Sequence, residues 1–208
     1  DWMEPTLCAL LVDLDQDGDQ DLILSTAAAL LVMANDGSGR FELRTELPGV
    51  RYVFALTAAD YDQDGDLDLF AGRYFAKDRR PNNVPNPIPY HDANNGGVNH
   101  LLRNDGGFEF TDVTKELGMD DDNTRWTYSA SWEDFDNDGD LDLYVANDFG
   151  RNCLYLNEEG RFRNVAAEAG VEDTASGMSV SWGDFNHDGW MDVYVGNMFS
   201  TAGNRIAF

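Results

Sequence analysis

"DFDNDGDLDLY", residues 134–144, places five aspartates in nine positions and then turns apolar. Like charges this close repel and oppose a compact state. Three other stretches do the same: "DLDQDGDQDLIL" from Asp13, "DYDQDGDLDLFA" from Asp60 and "DFNHDGWMDVYV" from Asp184. All share one template: Asp, apolar, Asp or Asn, any residue, Asp, Gly, two variable residues, Asp, then an apolar run. Four copies at fixed internal offsets are a repeat rather than a solvated charge run. Their starts imply a unit of about 50 residues, the long end of the range for propellers and solenoids, with an insertion in the second unit.

Loop chemistry accounts for the crowding. Side chains at positions 1, 3, 5 and 9 converge on one point when the backbone coils around it. Position 7 adds a carbonyl oxygen, and Gly at position 6 permits the sharp turn. An all-oxygen set suits calcium; zinc would ask for His or Cys. The expected side-chain ligands are Asp13, Asp15, Asp17 and Asp21 in the first loop, with the Asp19 carbonyl. The second loop offers Asp60, Asp62, Asp64 and Asp68 with the Asp66 carbonyl. The third offers Asp134, Asp136, Asp138 and Asp142 with the Asp140 carbonyl. In the fourth, Asn186 stands in place of an acid beside Asp184, Asp188 and Asp192, with the Trp190 carbonyl, so that site is expected to be the weakest. Up to four calcium ions are expected, one per repeat.

An EF-hand begins the same way but needs a bidentate Glu at position 12 and flanking helices. Position 12 is Leu24, Ala71, Val145 and Val195, none of which can ligate. The segments around the loops, "YSASWEDF" before and "LDLYVAN" after, read as strands. A second hairpin follows in each of the first three units: "LLVMANDGSGRFEL", "LLRNDGGFEFTDV" and "CLYLNEEGRFRNV", the last with Asn157 and Gly160 assigned to its turn. Four short strands per unit, with the acidic loop joining the first two, make an all-β chain of antiparallel propeller blades. The blades are expected at about 6–48, 51–114, 126–166 and, in part, 177–208. Trp132 and Trp182, two residues before their loops, are assigned to packing between blades. Asn99, Asn152 and Asn204, each preceding a third strand, are expected to tie one blade turn to another.

Bulk composition agrees. Hydrophobic residues make up 42% of the 208, enough for a core. The net charge of −25 excludes a basic face for nucleic acid. The four loops hold five, five, five and three of the 39 acids, so bound cations would relieve much of the repulsion. Cys8 and Cys153 lie in different units and read as buried free thiols. No apolar window reaches the length of a membrane span, and no signal peptide is visible behind Asp1. Three His, no G-x-S-x-G and no H-E-x-x-H leave no assembled nucleophile and base, so these residues are expected not to be an enzyme.

The motif D-x-D-x-D-G-x-x-D followed by a strand resembles the FG-GAP or VCBS repeat of integrin α-subunit propellers. "NCLYLNEEGRFRNVAAEAGV" after "DLYVAND" is similar to bacterial VCBS-repeat proteins related to cartilage acidic protein. The resemblance implies calcium in the strand 1–2 loops on one propeller face and partners on the other. It also implies a seven-bladed ring, of which this chain holds about three and a half blades; the rest would come from a longer chain or another subunit.

The insertion, residues 77–99, leaves between strands two and three and so emerges on the face opposite the loops. Arg79, Arg80, Tyr90 and His91 are its candidate partner-binding residues; a variable surface excursion is the alternative. The function expected is an extracellular, secreted or cell-surface module, periplasm included, that recognises protein or glycan. The alternative is a scaffold or accessory domain of a secreted polysaccharide-active enzyme.

Overall fold

A computed structural model describes residues 5–76 and 86–198. Every loop motif lies between the first two strands of an antiparallel sheet, in one register. The aspartate at position 9 opens the second strand and pairs with the residue just before the loop: Val12 with Asp21, Ala59 with Asp68, Glu133 with Asp142, Gly183 with Asp192. Register repeats because side chains alternate between faces, so a one-residue slip would invert the buried set.

The first blade comprises β1 (Thr6–Val12), β2 (Asp21–Thr26), β3 (Leu30–Asn35) and β4 (Phe41–Leu47), hydrogen-bonded in that order. The second comprises β5 (Val53–Ala59), β6 (Asp68–Arg73), β7 (His100–Asn104) and β8 (Phe110–Asp112). The third comprises β9 (Trp126–Glu133), β10 (Asp142–Phe149), β11 (Cys153–Glu158) and β12 (Arg161–Asn164). The fourth shows β13 (Gly177–Gly183) and β14 (Asp192–Asn197). The first strands β1, β5, β9 and β13 pack side by side in sequence and form the inner edge of the array. These sheets are successive blades of a β-propeller.

The core sits between blades. Ile23 and Val32 of blade 1 meet Val53, Leu69 and Leu102 of blade 2. Phe70 and Leu101 then meet Leu143, Cys153 and Tyr155, and Tyr144 and Leu154 meet Trp182 and Val193. A second strand covered on both faces becomes apolar through its middle: all six residues of β6 are buried, with Leu69, Phe70 and Ala71 between Asp68 and Arg73. Each fully buried Leu or Phe contributes about 1.5–3 kcal/mol, so the stacking of one blade on the next is the main source of stability. Trp132 and Trp182 pack against the preceding blade, as their spacing indicates.

Some local expectations need correction. Asn157 lies in β11, and the hairpin turn is Glu159-Gly160, both at positive φ. The side-chain oxygens of Asn99 and Asn152 bond within their own blades, while their main chains reach onward, Asn99 pairing with the Asn123 side chain and the Asn152 N–H donating to the Asp173 carbonyl. Asn99 Oδ1 accepts the Arg73 N–H and Asn152 Oδ1 the Asn147 N–H, both at 2.8 Å within one blade. A chain that leaves the second strand away from the third has amides to satisfy there, and the asparagine does so locally. Asn204 lies outside the described residues. Both cysteines are free, Cys153 buried and Cys8 half-buried; burial pushes their thiols up, to about 12 and about 11.

Candidate metal centres

The four loops line one end of the blades. At position 4, Gln16, Gln63, Asn137 and His187 all adopt left-handed φ, between 57° and 62°. Two residues on, Gly18, Gly65, Gly139 and Gly189 have φ between 88° and 101°, where a Cβ is disfavoured. These reversals fold each loop back on itself. Position 1 caps the turn: one oxygen of Asp13, Asp60, Asp134 and Asp184 accepts the glycine N–H at 2.9–3.1 Å. Position 5 accepts the N–H of position 7, at 2.9 Å in each loop.

Position 9 is the buried anchor. Asp21, Asp68 and Asp142 are almost fully buried. One oxygen of each accepts the N–H of position 2: Leu14 at 2.9 Å, Tyr61 at 3.3 Å, Phe135 at 2.8 Å. The other accepts the N–H of an asparagine on the third strand: Asn35 at 2.9 Å, Asn104 at 2.9 Å, Asn157 at 2.8 Å. A carboxylate held on both oxygens still has lone pairs to offer a cation.

Three loops bring carboxylates together: Asp13, Asp15 and Asp17; Asp60, Asp62 and Asp68; Asp134, Asp136 and Asp142. Each set offers ligand atoms within 4.8 Å of one another. No equivalent set forms in the fourth loop among the described residues. There Asn186 Nδ2 donates to Asp188 Oδ2 at 3.0 Å, turning one candidate ligand onto another. The side chains of Asp66 and Asp140, at position 7, point away to accept hydrogen bonds from the preceding blade.

These groups fit a hard cation. Asp13 Oδ1 and Asp136 Oδ1 are buried without a hydrogen-bond donor, and an unpaired buried carboxylate oxygen is unfavourable. Burial first, then neighbouring aspartates, raise the carboxyls of Asp15, Asp62 and Asp136 above the usual range. Burial also pushes Asp68 up to about 7 and Asp142 to about 6, against the hydrogen bonds they accept. A divalent ion would supply the missing partner and reverse the repulsion.

A model of the FG-GAP-like repeat matches residues 13–71 and 134–195, more than half of the chain. The chain belongs to the FG-GAP-like repeat family. Each matched span of this FG-GAP-like chain opens at position 1 of one loop and closes at position 12 of the next, so the unit matched is a pair of loops with the blade between them. Among solved structures, the crystal structure of BBS1N in complex with ARL6DN, soaked with lead, is 12% identical with a TM-score of 0.48. That match covers 94% of this chain and 55% of the other, so the chain spans about half that structure's length. No curated protein matches.

Two sets of residues in these FG-GAP-like repeats act where the loop template does not point. Gln16 Nε2 donates to the Gly65 carbonyl at 2.6 Å, Gln63 Nε2 to the Gly139 carbonyl at 2.9 Å, and Asn137 Nδ2 to the Gly189 carbonyl at 3.3 Å. Position 4, variable in type, thus bridges each loop to the next. In the other direction Asn104 Nδ2 donates to the Leu14 carbonyl at 3.2 Å and Asn157 Nδ2 to the Tyr61 carbonyl at 2.9 Å. The recurring polar amide at position 4 is the sequence signal for the first set; for the second it is the asparagine ahead of the hairpin turn, Asn104 in Asn-Asp-Gly and Asn157 in Asn-Glu-Glu-Gly.

The opposite face carries a different chemistry. Phe54, Tyr74 and Tyr128 form a cluster with ring centroids 5.0–6.1 Å apart, and Tyr74 also meets Trp126 edge-on at 5.0 Å. The described part of the insertion is anchored beside it. Tyr90 packs on Phe149 at 4.8 Å, and Asp92 pairs with Arg125 and Arg151. Gly96 passes so close to the Arg125 carbonyl that a Cβ would lie 2.2 Å from it. His91 is exposed, while Arg79 and Arg80 lie outside the described residues. No helix among the described residues is long and apolar enough to cross a membrane.

Proposed function

We propose that the chain is a calcium-stabilised recognition module that works outside the cell. The observation that carries this is the recurrence, in three loops, of clustered carboxylates in one hydrogen-bonded frame, two of them with buried oxygens lacking a donor. Calcium would be held by positions 1, 3, 5 and 9 with the carbonyl of position 7, most weakly in the fourth loop. Clustered sites of this kind in extracellular modules bind with dissociation constants of order 10⁻⁴–10⁻³ M, which only extracellular calcium saturates. The metals are structural in this reading, and the residues described are given no catalytic role.

The partner, a protein or a glycan, would engage the face opposite the loops. Half-exposed Tyr128 and Tyr90, backed by Phe54 and Tyr74, support that placement: such rings give contact area with a polar edge. The test of the calcium reading is a thermal melt in EDTA, then with calcium or magnesium restored, beside metal content by mass spectrometry. An ion that binds the folded state alone raises its stability, so a drop in EDTA reversed by calcium but not magnesium is expected. Unchanged melts, with no calcium found, would defeat the reading.

A further inference from the structure

Position 4 of each loop stands between two expected ligands of its own ion and touches the neighbouring loop. Gln16 lies between Asp15 and Asp17, Gln63 between Asp62 and Asp64, and Asn137 between Asp136 and Asp138. All three hold left-handed φ, between 57° and 60°, a conformation that a residue other than glycine keeps only where its surroundings enforce it. Gathering the flanking carboxylates on one ion would fix that backbone and so aim the amide.

What the amide reaches is the ligand-bearing turn of the next loop. Gln16 Nε2 donates to the Gly65 carbonyl at 2.6 Å and to Asp66 Oδ1 at 2.9 Å. Gln63 repeats both bonds, to the Gly139 carbonyl at 2.9 Å and Asp140 Oδ1 at 2.7 Å. The residue at position 7, whose carbonyl is the expected ligand, is thus held on its side chain and on the peptide before it. From within the loop the same turn is held by carboxylates: Asp60 Oδ2 accepts the Gly65 N–H at 3.1 Å and Asp64 Oδ1 the Asp66 N–H at 2.9 Å. The fourth loop receives less. Asn137 is one methylene shorter than Gln and makes one bond, to the Gly189 carbonyl at 3.3 Å, and Trp190 at position 7 offers no side-chain acceptor. That loop is also the one in which no carboxylate set forms among the described residues.

We propose that the first three loops bind calcium as a coupled series, in which the amide at position 4 carries the order of one filled loop into the next. The coupling rests on the calcium reading of these loops. An empty loop must give up conformational freedom to close on an ion. Where a filled neighbour has already fixed part of the turn, the second ion has less left to order, and the two bind cooperatively. Coupling of binding free energies is reciprocal, so an ion in the third loop helps the second as much as the reverse. The three sites then fill over a narrower span of calcium concentration than independent sites would, and the fourth fills apart from them.

The experiment follows the amides of Gly18, Gly65 and Gly139, one reporter per loop, by heteronuclear NMR through a calcium chloride titration. The chain is compared with three variants: Asp62→Asn with Asp64→Asn, which strips two ligand charges from the second loop; Gln63→Ala, which cuts the bridge to the third; and all these changes together. The altered side chains are exposed, so folding is expected to survive, and the amide spectrum reports it. Emptying the second loop should move the Gly18 and Gly139 midpoints to about two- to tenfold higher calcium, the equivalent of one exchanged hydrogen bond. Gln63→Ala should by itself raise the Gly139 midpoint. Emptying the second loop on top of it should move Gly139 no further, yet still move Gly18. Gly18 and Gly139 midpoints that stay in place while that of Gly65 rises would overturn the coupling and leave the calcium reading intact. A Gly139 shift as large with Gln63→Ala as without it would take the amide out of the coupling and overturn the proposal. If no amide of the chain responds to calcium, or if the Gly65 midpoint ignores the loss of two of its loop's carboxylates, the calcium reading falls and the coupling with it.

Discussion

The side-chain amide of Gln63 donates to the Gly139 carbonyl at 2.9 Å and to Asp140 Oδ1 at 2.7 Å, joining one blade's acidic loop to the next. The acceptors are positions 6 and 7 of the third loop, the turn that presents its expected carbonyl ligand. The bridge therefore acts on two levels: it ties blades together and holds the neighbouring loop in its coiled form.

Gln63→Ala should lower stability by about 0.5–1.5 kcal/mol, the range for one hydrogen bond, near its lower end because the contact is exposed. It should also weaken calcium binding, which Gln16→Ala and Asn137→Asp should do through the second and fourth loops. Urea unfolding beside a calorimetric calcium titration separates the effects. A titration identical to the unaltered protein's would restrict the bridge to holding blades together.

Stability should depend on pH in opposite senses with and without calcium. Burial raises the folded carboxyls of Asp68 and Asp142 to about 7 and about 6, against about 3.9 for an unfolded aspartate. With protein groups alone, the folded state binds these protons more tightly. Their contribution to stability is therefore fully present below about pH 4 and is lost as pH rises through 6 and 7. Calcium bound as proposed would hold the same groups ionised and compete with the protons. The gap between melting temperatures in calcium and in EDTA should narrow as pH falls from about 7.5 to about 5. A constant gap over that range would mean these two carboxylates do not hold the ion.

Asn186→Asp should turn the fourth loop, proposed as the weakest site, into one like the others. The change removes the amide that bonds to Asp188 and restores the third-position carboxylate found at Asp15, Asp62 and Asp136. In EDTA the variant should be slightly less stable than the parent, through added repulsion; in calcium it should be more stable. Two melts in each buffer decide it, and a loss in both would show that the fourth loop cannot close around an ion.

The loops were legible because their residue types and spacing carry the chemistry directly, and the strands because second strands such as "LDLYVAN" hold an unbroken apolar run, Leu143–Ala146. What stayed hidden depends on residues that meet only once the blades stack. Position 4 holds Gln, Gln, Asn and His, which looks like surface variation until each amide is seen beside the next loop's carbonyl. The aromatic cluster of Phe54, Tyr74 and Tyr128 draws on two blades and three strand ends, so no periodicity along the chain announces it. The insertion reads as a free excursion from its Pro and Asn content, yet Asp92 fastens it to Arg125 and Arg151 of the next blade. Long-range ion pairs leave no local mark in a sequence.

Asn157 and Asn35 occupy the same place in their blades, yet their side chains do different work. Asn157 Nδ2 donates to the Tyr61 carbonyl of the preceding blade at 2.9 Å and to the Leu141 carbonyl at 3.2 Å, in buried surroundings. Asn35 Nδ2 reaches only the Gln20 carbonyl, at 3.0 Å and exposed to solvent. Asn157→Ala strands the buried Tyr61 carbonyl and frees the part-buried Leu141 carbonyl, and an unsatisfied buried group costs about 1–3 kcal/mol; Asn35→Ala leaves its acceptor to water and should cost well under about 1 kcal/mol. Paired urea unfolding of the two variants in calcium makes the comparison, with the loss at Asn157 expected to be the larger. Equal losses would assign both asparagines to their own hairpins and remove the inter-blade bond from the account of how these blades hold together.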